Sequence, residues 1–427
     1  MATAVLFIVA FTLLAIGVPV GISLGLGMIA IVFGFGTTNL GFLAQSMYSG
    51  FESLPLTAIP CFMLAGAVME TGGLSKRLVN VAEKMVGHTT GGLGTVTVIA
   101  CLFFGAISGS GPATVAAIGG IMIPYMVKAG YDRTYSTGLS AVAGGLGIIM
   151  PPSIPLVIYG VATNTSIGDL FLAGIGPAFL VGFMLVLVNI FLSNKAGYLG
   201  NGIPFKLKEM GKAIWDAKWA LLMPGIILGG IYGGIFTPTE AAVVATAYGI
   251  LVGIYGYKEL KWNDIIPMLI KNTSFVGGIL LTFAPAAALG AVLALLGVPR
   301  ALTTMLFALS TNKIVILLIV NVFLVFVGMI VDTTAANIIF SPILLTALRP
   351  YGVDPVHFGL LMTINLAIGF VTPPVAGNLF VASGMTGIPM DKIVKKALPF
   401  IVAMFVALLI VTYIPATSIG ILQLLGR

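Results

Sequence analysis

The sequence predicts an all-α polytopic membrane protein built from two copies of one helical unit, and three observations carry that expectation. Of its 427 residues, 59% are hydrophobic and only 8% charged, a composition foreign to water-soluble domains. Apolar stretches long enough to cross a bilayer recur from end to end. An apolar run is also broken by prolines at Gly147-Ile148-Ile149-Met150-Pro151-Pro152-Ser153-Ile154-Pro155, and the same device returns at Gly369-Phe370-Val371-Thr372-Pro373-Pro374, at an offset of 222.

The breaks have a direct chemical meaning. A helical N–H bonds the carbonyl four residues back, so Pro151 and Pro152 deprive the carbonyls of Gly147 and Ile148 of their usual donors. The residue before a proline also avoids helical geometry, which unwinds Met150. In hydrocarbon such backbone survives only where it is buried in protein or lines a polar cavity, and coordinating a cation is one use for it.

The offset of 222 brings further residues into register: Gly130-Tyr131-Asp132 with Gly352-Val353-Asp354, Asp169 with Asp391, and Pro177 with Pro399. An offset of 224 matches Gly66-Ala67-Val68 with Gly290-Ala291-Val292 and Gly73 with Gly297. The first repeat is therefore expected over 1–200, a connector over 201–216 and the second repeat over 217–427. The N-terminus lacks a basic leader and is expected to be a retained first helix. Each repeat opens with two apolar segments, about 4–20 and 20–36 in the first and about 217–235 and 238–256 in the second.

An amphipathic stretch follows at 76–84, with its expected counterpart around Lys261, Trp262, Asn263, Asp264 and Lys271, and both are expected to lie in the membrane interface. Next, small and polar residues interrupt apolar sequence at Phe104-Gly105-Ala106-Ile107-Ser108-Gly109-Ser110-Gly111-Pro112-Ala113-Thr114 and at 328–337. This predicts re-entrant hairpins over about 92–127 and 313–349. The broken helices, about 134–163 and 356–384, come next, and a long apolar helix closes each repeat. An odd number of crossings per repeat makes the two units inverted in topology, the arrangement that places sites on discontinuous helices at a repeat interface.

Several functions are disfavoured. The net charge of +7 is scattered over short loops rather than gathered on one face, so no nucleic-acid partner is expected. Lys195, Lys206, Lys208, Lys212 and Lys218 cluster at the connector, which the positive-inside rule makes cytoplasmic, with both termini on the outer side. No phosphate loop or HExxH motif is present, and the two histidines, His88 and His357, lie apart, so no enzyme is expected. Thr237-Pro238-Thr239-Glu240 reads as a helix-capping box, and Cys61 and Cys101 as packing residues.

The residues left for chemistry sit at the interruptions. Asp332, flanked by apolar sequence, is a functional candidate by its expense in a membrane, and equally an N-cap for a helix starting at Thr333. Beside the carbonyls of 369–372 it makes a hard oxygen site suited to an alkali cation. Ser108 and Ser110, with the carbonyls of Gly147 and Met150, form its first-repeat counterpart. The pseudo-symmetry pairs Gly147 with Gly369, Met150 with Thr372, and Pro152 with Pro374, which predicts two related cation sites.

Ser108-Gly109-Ser110-Gly111-Pro112, Met150-Pro151-Pro152-Ser153, and Val371-Thr372-Pro373-Pro374 with Asn378 make the chain resemble, over essentially its whole length, the large membrane subunit of tripartite ATP-independent periplasmic (TRAP) transporters. A start directly at the first large-subunit helix resembles the form whose small subunit is separate. The resemblance implies a bacterial inner-membrane importer driven by Na+. Its partners would be a small four-helix membrane subunit and a periplasmic substrate-binding protein, and its substrate an organic acid. The sialic acid type is favoured, with C4-dicarboxylates or other carboxylates as alternatives. The implied sodium ligands are Ser108, Ser110, Gly147, Met150 and Pro152 at one site, and Asp332, Gly369, Thr372 and Pro374 at the other. The second tip departs from the Ser-x-Ser form of the first, so its ligand set is the less defined.

An elevator-type mechanism is the expected mode, with hairpins and broken helices moving against the long paired helices. Thr114, Ser153, Asn337 and Asn378 are the candidate substrate contacts, and hairpin helices beginning at mid-membrane favour an anion. A subunit of an energy-converting complex, or a channel, remains the alternative. The former should carry ionisable residues through several helices, and here they are nearly absent.

Overall fold

The computed structural model describes residues 1–52 and 54–426, and every regular element among them is helical. By length and composition, five of these helices can cross a membrane, or up to eight if each bent pair is one span. Phe179, Phe183, Leu187 and Phe191 run four residues apart down an exposed face of Ile167–Ala196, the apolar exterior that a lipid solvent requires.

The first half opens with Ala2–Ala15 and Val20–Phe35, which pack together and are shorter than the segments expected from hydropathy. Leu40–Phe51 and Pro55–Thr71 follow, bent by 56° relative to one another, then the amphipathic Leu74–Val86. The first hairpin descends as Gly92–Ser108 and returns as Gly111–Thr114, a π-helical turn over Val115–Gly119, and Gly120–Lys128. The broken helix runs as Arg133–Ala143, Leu146–Ile149 and, after the proline break, Ile154–Thr163. Ile167–Ala196 closes this half.

After Leu207–Asp216, Lys218–Tyr232 and Pro238–Leu251, the same order resumes. Trp262–Leu295 and Val298–Leu309 precede a hairpin of Lys313–Ile330 and Thr333–Leu348. A second broken helix, Pro355–Gly369 and Gly377–Thr386, leads into Met390–Tyr413.

The likeness of the halves extends to backbone detail. Asp132 and Asp354 both cap helix N-termini with their carboxylates. The glycines two residues before them are left-handed, with φ +90° at Gly130 and +68° at Gly352. The Pro151–Pro152 and Pro373–Pro374 peptides are both cis.

One sequence expectation is corrected. The stretch from Lys261 to Lys271 is not a separate interfacial helix matching 76–84; it opens the 34-residue helix Trp262–Leu295. The counterpart of Leu74–Val86 is Val298–Leu309, since each follows a left-handed glycine, Gly73 or Gly297. The first copy bends at Leu54–Thr57, where Pro55 lacks an N–H, whereas Ile279 occupies the matching position in the continuous helix. The capping box at Thr237–Glu240 forms as expected, with both reciprocal bonds present.

Polar ties gather around the amphipathic helix Leu74–Val86. The Arg77 guanidinium lies 3.7 Å from the centroid of Tyr257 and donates to Glu259 at 2.7 Å. That bond holds the Glu259 carboxyl below its ordinary range. Lys84 pairs with Glu209 at 3.0 Å, and Tyr125, on the returning arm of the first hairpin, donates to Glu83 at 2.7 Å.

The hairpin arms meet the broken helices through glycine. Gly105 faces Gly147, and Gly328 faces Gly369 so closely that a Cβ on Gly369 would overlap the Gly328 backbone. Gly369→Ala is therefore expected to destabilise the protein by about 1–3 kcal/mol, the usual range for overpacking. Gly229→Ala, where a Cβ meets nothing within 4 Å, is expected to be neutral. Thermal unfolding of the purified variants in detergent checks the contrast, and equal behaviour of the two would refute the packing argument.

Candidate functional site

Each hairpin tip is tied to the break of the helix that follows it by a backbone hydrogen bond. In the first half Ile154 N–H donates to the Gly109 carbonyl at 3.2 Å; in the second, Val375 N–H donates to the Met329 carbonyl at 3.0 Å. Gly109 turns the first tip at φ +61°, a conformation that favours glycine, and its Cα side faces the Pro152 carbonyl.

Around the first tip, oxygens crowd together. Thr114 Oγ1 donates to the Ser110 carbonyl at 2.7 Å, and the Ser108 and Thr114 hydroxyls lie 3.1 Å apart. Gly147 packs directly on this group: a Cβ there would lie 2.7 Å from Ser110 O and would also meet Thr114 Oγ1. The structure thus brings Ser108, Ser110, Thr114 and Gly147 together. Met150 has extended backbone at the break, while its N–H still reaches the Leu146 carbonyl at 2.9 Å.

The break is less bare than proline chemistry alone suggests. Ser153 is fully buried, its hydroxyl donating to the Ile148 carbonyl and accepting from Leu156 N–H, so it caps the resumed helix. In the second break the Gly369 carbonyl accepts from Thr372 N–H at 3.0 Å, and Phe370 from Asn378 N–H at 3.0 Å. Thr372 Oγ1 donates to Ile368 O at 2.8 Å. A carbonyl has two lone pairs, so each of these oxygens keeps capacity for a second partner.

At the second tip Asp332 caps the helix Thr333–Leu348, accepting from Thr334 N–H at 2.8 Å. Asn337, one turn in, is buried with Oδ1 unpartnered. Asn378 is also buried: its Nδ2 donates to the Ala141 carbonyl at 3.2 Å, while its Oδ1 is unpartnered and faces Gly111. It therefore joins the second break to the first hairpin and first broken helix. Pro374 is exposed beside it.

The two tips share one cavity of about 410 Å³. Ser108, Ser110 and Pro112 come to it from the first hairpin, Asp332 from the second and Phe370 from the second break. It is also lined by Met63, Gly66 and Glu70 of Ala58–Thr71 and by Met268, Lys271 and Asn272 of Trp262–Leu295. A smaller space of about 60 Å³, where Ile148 and Ile279 meet, is also bounded by Ser110 and Asp332. The sequence reading set Lys271 in an interfacial stretch and did not single out Asn272 or Glu70 as site residues. The signal that could have found them is the register of Gly290 with Gly66, which makes Trp262–Leu295 the counterpart of the segment containing Glu70.

Residues 7–417 match the family described as "Tripartite ATP-independent periplasmic transporter, DctM component". The chain belongs to that family. It is 44% identical over 403 residues to the isethionate TRAP transporter permease protein DctMQ of Oleidesulfovibrio alaskensis, covering 94% of this chain and 64% of that relative; the chain thus spans under two thirds of that longer protein. It is 39% identical to the C4-dicarboxylate large permease DctM of Pseudomonas aeruginosa, covering 95% of this chain and 94% of the relative. It is 36% identical to the sialic acid large permease SiaM of Vibrio cholerae, covering 94% of each. Among solved structures, the YdaH transporter of Alcanivorax borkumensis matches with a TM-score of 0.60 at 16% identity, over 88% of both chains, a likeness of fold alone.

As a DctM-family permease the chain is a transporter component and not an enzyme. Its donor set fits a hard cation: hydroxyl, carbonyl and carboxylate oxygens, with no thiolate or imidazole among the cavity-lining residues. Asp332 both caps its helix and lines the cavity, and substitution separates the two. Asp332→Asn keeps an N-capping side chain and is expected to retain thermal stability, whereas Asp332→Ala is expected to lose about 1 kcal/mol. Thermal unfolding without sodium checks this, and identical melting of the two variants would remove the capping role.

Proposed function

We propose that this chain is the large membrane subunit of a sodium-driven importer of a small organic anion. It acts in the bacterial inner membrane with a small membrane subunit of about four helices and a periplasmic substrate-binding protein. The observation that carries the reading is the convergence of both hairpin tips, Ser110 and Asp332, on one cavity in a chain of the DctM family. The sequence resemblance favours sialic acid, while isethionate and C4-dicarboxylate appear in the names of similar proteins.

Sodium is cargo as well as driving force. Ser108, Ser110 and the carbonyls of Gly147, Met150 and Pro152 hold one ion, and Asp332 with the carbonyls of Gly369, Thr372 and Pro374 holds the other. Each ion replaces hydrogen bonds that the tip oxygens make among themselves, so its binding orders the tips before the anion arrives. Thr114, Ser153, Asn337 and Asn378 are the proposed polar contacts of the anion, and the helix starts at Gly111 and Thr333 turn their positive dipole ends toward it.

The hairpins and broken helices move as one unit in an elevator, against a scaffold that includes Ala58–Thr71 and Trp262–Leu295. The repeats are inverted, the lysine-rich connector is cytoplasmic and the termini face the periplasm.

The test is uptake of labelled succinate, isethionate or N-acetylneuraminate into proteoliposomes containing the partner proteins, with and without an inward sodium gradient. The wild type is expected to accumulate one of these anions only with the gradient. Ser110→Ala and Asp332→Ala are each expected to lose most sodium-driven uptake. Variants that kept wild-type sodium dependence would overturn the ion-site assignment.

A further inference from the structure

The scaffold wall of the cavity carries charge and donor capacity that the cation sites leave unused. Lys271 is the one basic side chain among the described residues that line the cavity. Glu70 lines the same cavity and makes no ion pair with Lys271 among the described residues. Beside Lys271, Asn272 carries a buried Nδ2 with no hydrogen-bond partner. The rest of this wall is Met63, Met268, Gly66 and Ala67, apolar surface against which a charge is not solvated by protein.

Two physical arguments point the same way. An ammonium has three donors, and one neighbouring carboxylate does not exhaust them. A neutral amide beside it adds hydrogen-bond donors without adding charge. A cation and an amide side chain, adjacent in sequence and both lining a cavity with apolar walls, match an oxyanion with at least two acceptor oxygens.

We propose that Lys271 and Asn272 form the scaffold half of the substrate's anion site. They would receive a carboxylate or sulfonate, with Glu70 as the carboxylate of the same cavity that competes with the substrate anion for Lys271. The inference rests on the import reading above and adds to it the residues that select a negative charge. Lys271 and Asn272 belong to the scaffold, and Ser110 and Asp332 to the hairpin tips, so an anion in this cavity touches both units at once. Its release from Lys271 then accompanies movement of the tips away from the scaffold. A plainer role for the lysine is to tie Trp262–Leu295 to Ala58–Thr71 through Glu70, and the two roles give opposite results.

The experiment measures initial uptake of labelled succinate, isethionate and N-acetylneuraminate in proteoliposomes with the partner proteins under an inward sodium gradient. Lys271→Gln is expected to raise KM for the transported anion about ten- to hundredfold, the equivalent of one lost charge-assisted hydrogen bond. The sodium concentration for half-maximal rate is expected to stay at its wild-type value, and Lys271→Arg to recover most of the loss. Glu70→Gln is expected to lower KM, because it removes the competing anion. If Lys271→Gln left KM unchanged, or if Lys271→Gln and Glu70→Gln raised it alike and the charge-swapped double variant restored it, the proposal would fail while sodium-driven import stood. A wild type that accumulated none of the three anions would overturn the import reading and this proposal with it. Sodium-induced thermal stabilisation reports whether Lys271→Gln is folded. If it is not, Asn272→Leu decides: a raised KM supports the anion site and a wild-type KM overturns it.

Discussion

The architecture depends on one constraint: a chain that stops being helical inside a membrane must satisfy its own backbone. Here each interruption is completed by another. The Gly109 carbonyl at the first tip accepts Ile154 N–H just past the first proline break, and the Met329 carbonyl before the second tip accepts Val375 N–H just past the second. Four weak points in isolated helices thereby become two joints. An unpaired peptide group in hydrocarbon costs several kcal/mol, so neither hairpin nor broken helix is stable without its partner. The same joints concentrate oxygen where apolar sequence would otherwise leave none.

Close backbone approach makes the joints possible. Gly105 against Gly147 and Gly328 against Gly369 bring the descending hairpin arms onto the broken helices with no side chain between them. Asn378 then couples the halves, since its amide reaches Ala141 in the first broken helix while its own helix belongs to the second. The result is a unit in which both tips line the same cavity, together with Ala58–Thr71 and Trp262–Leu295. The side chains from those last two belong to helices whose role in the sequence looked purely structural.

Much of this was legible beforehand because its cause is local. Proline removes a specific donor, small residues at the centre of an apolar run prevent a simple crossing, and an aspartate before two threonines caps a helix. The interruptions at 109–110, 150–153, 331–332 and 370–376 follow from such rules. Ser153 shows where local reasoning stops. A serine beside the break reads as a candidate substrate contact, and the fold also ties its hydroxyl to the Ile148 carbonyl and Leu156 N–H. The span from Lys261 to Lys271 shows a second limit. Its charge pattern fits an interfacial helix, yet Asp264 caps a helix that runs on for 34 residues and carries Lys271 to the cavity.

Composition and spacing by themselves determined that this is a helical membrane protein in two related halves, with its polar chemistry at paired breaks. Each of those conclusions follows from hydrogen-bond geometry or transfer free energy along a single segment. Packing alone decided that Ser110 and Asp332, 222 residues apart, line one cavity. It also decided that Thr114 and Gly147 close up behind the first tip, and that Lys271, Asn272 and Glu70 line the cavity as well. Those are contacts between helices distant in sequence, fixed by where glycine lets backbones approach and where one helix continues while its counterpart bends.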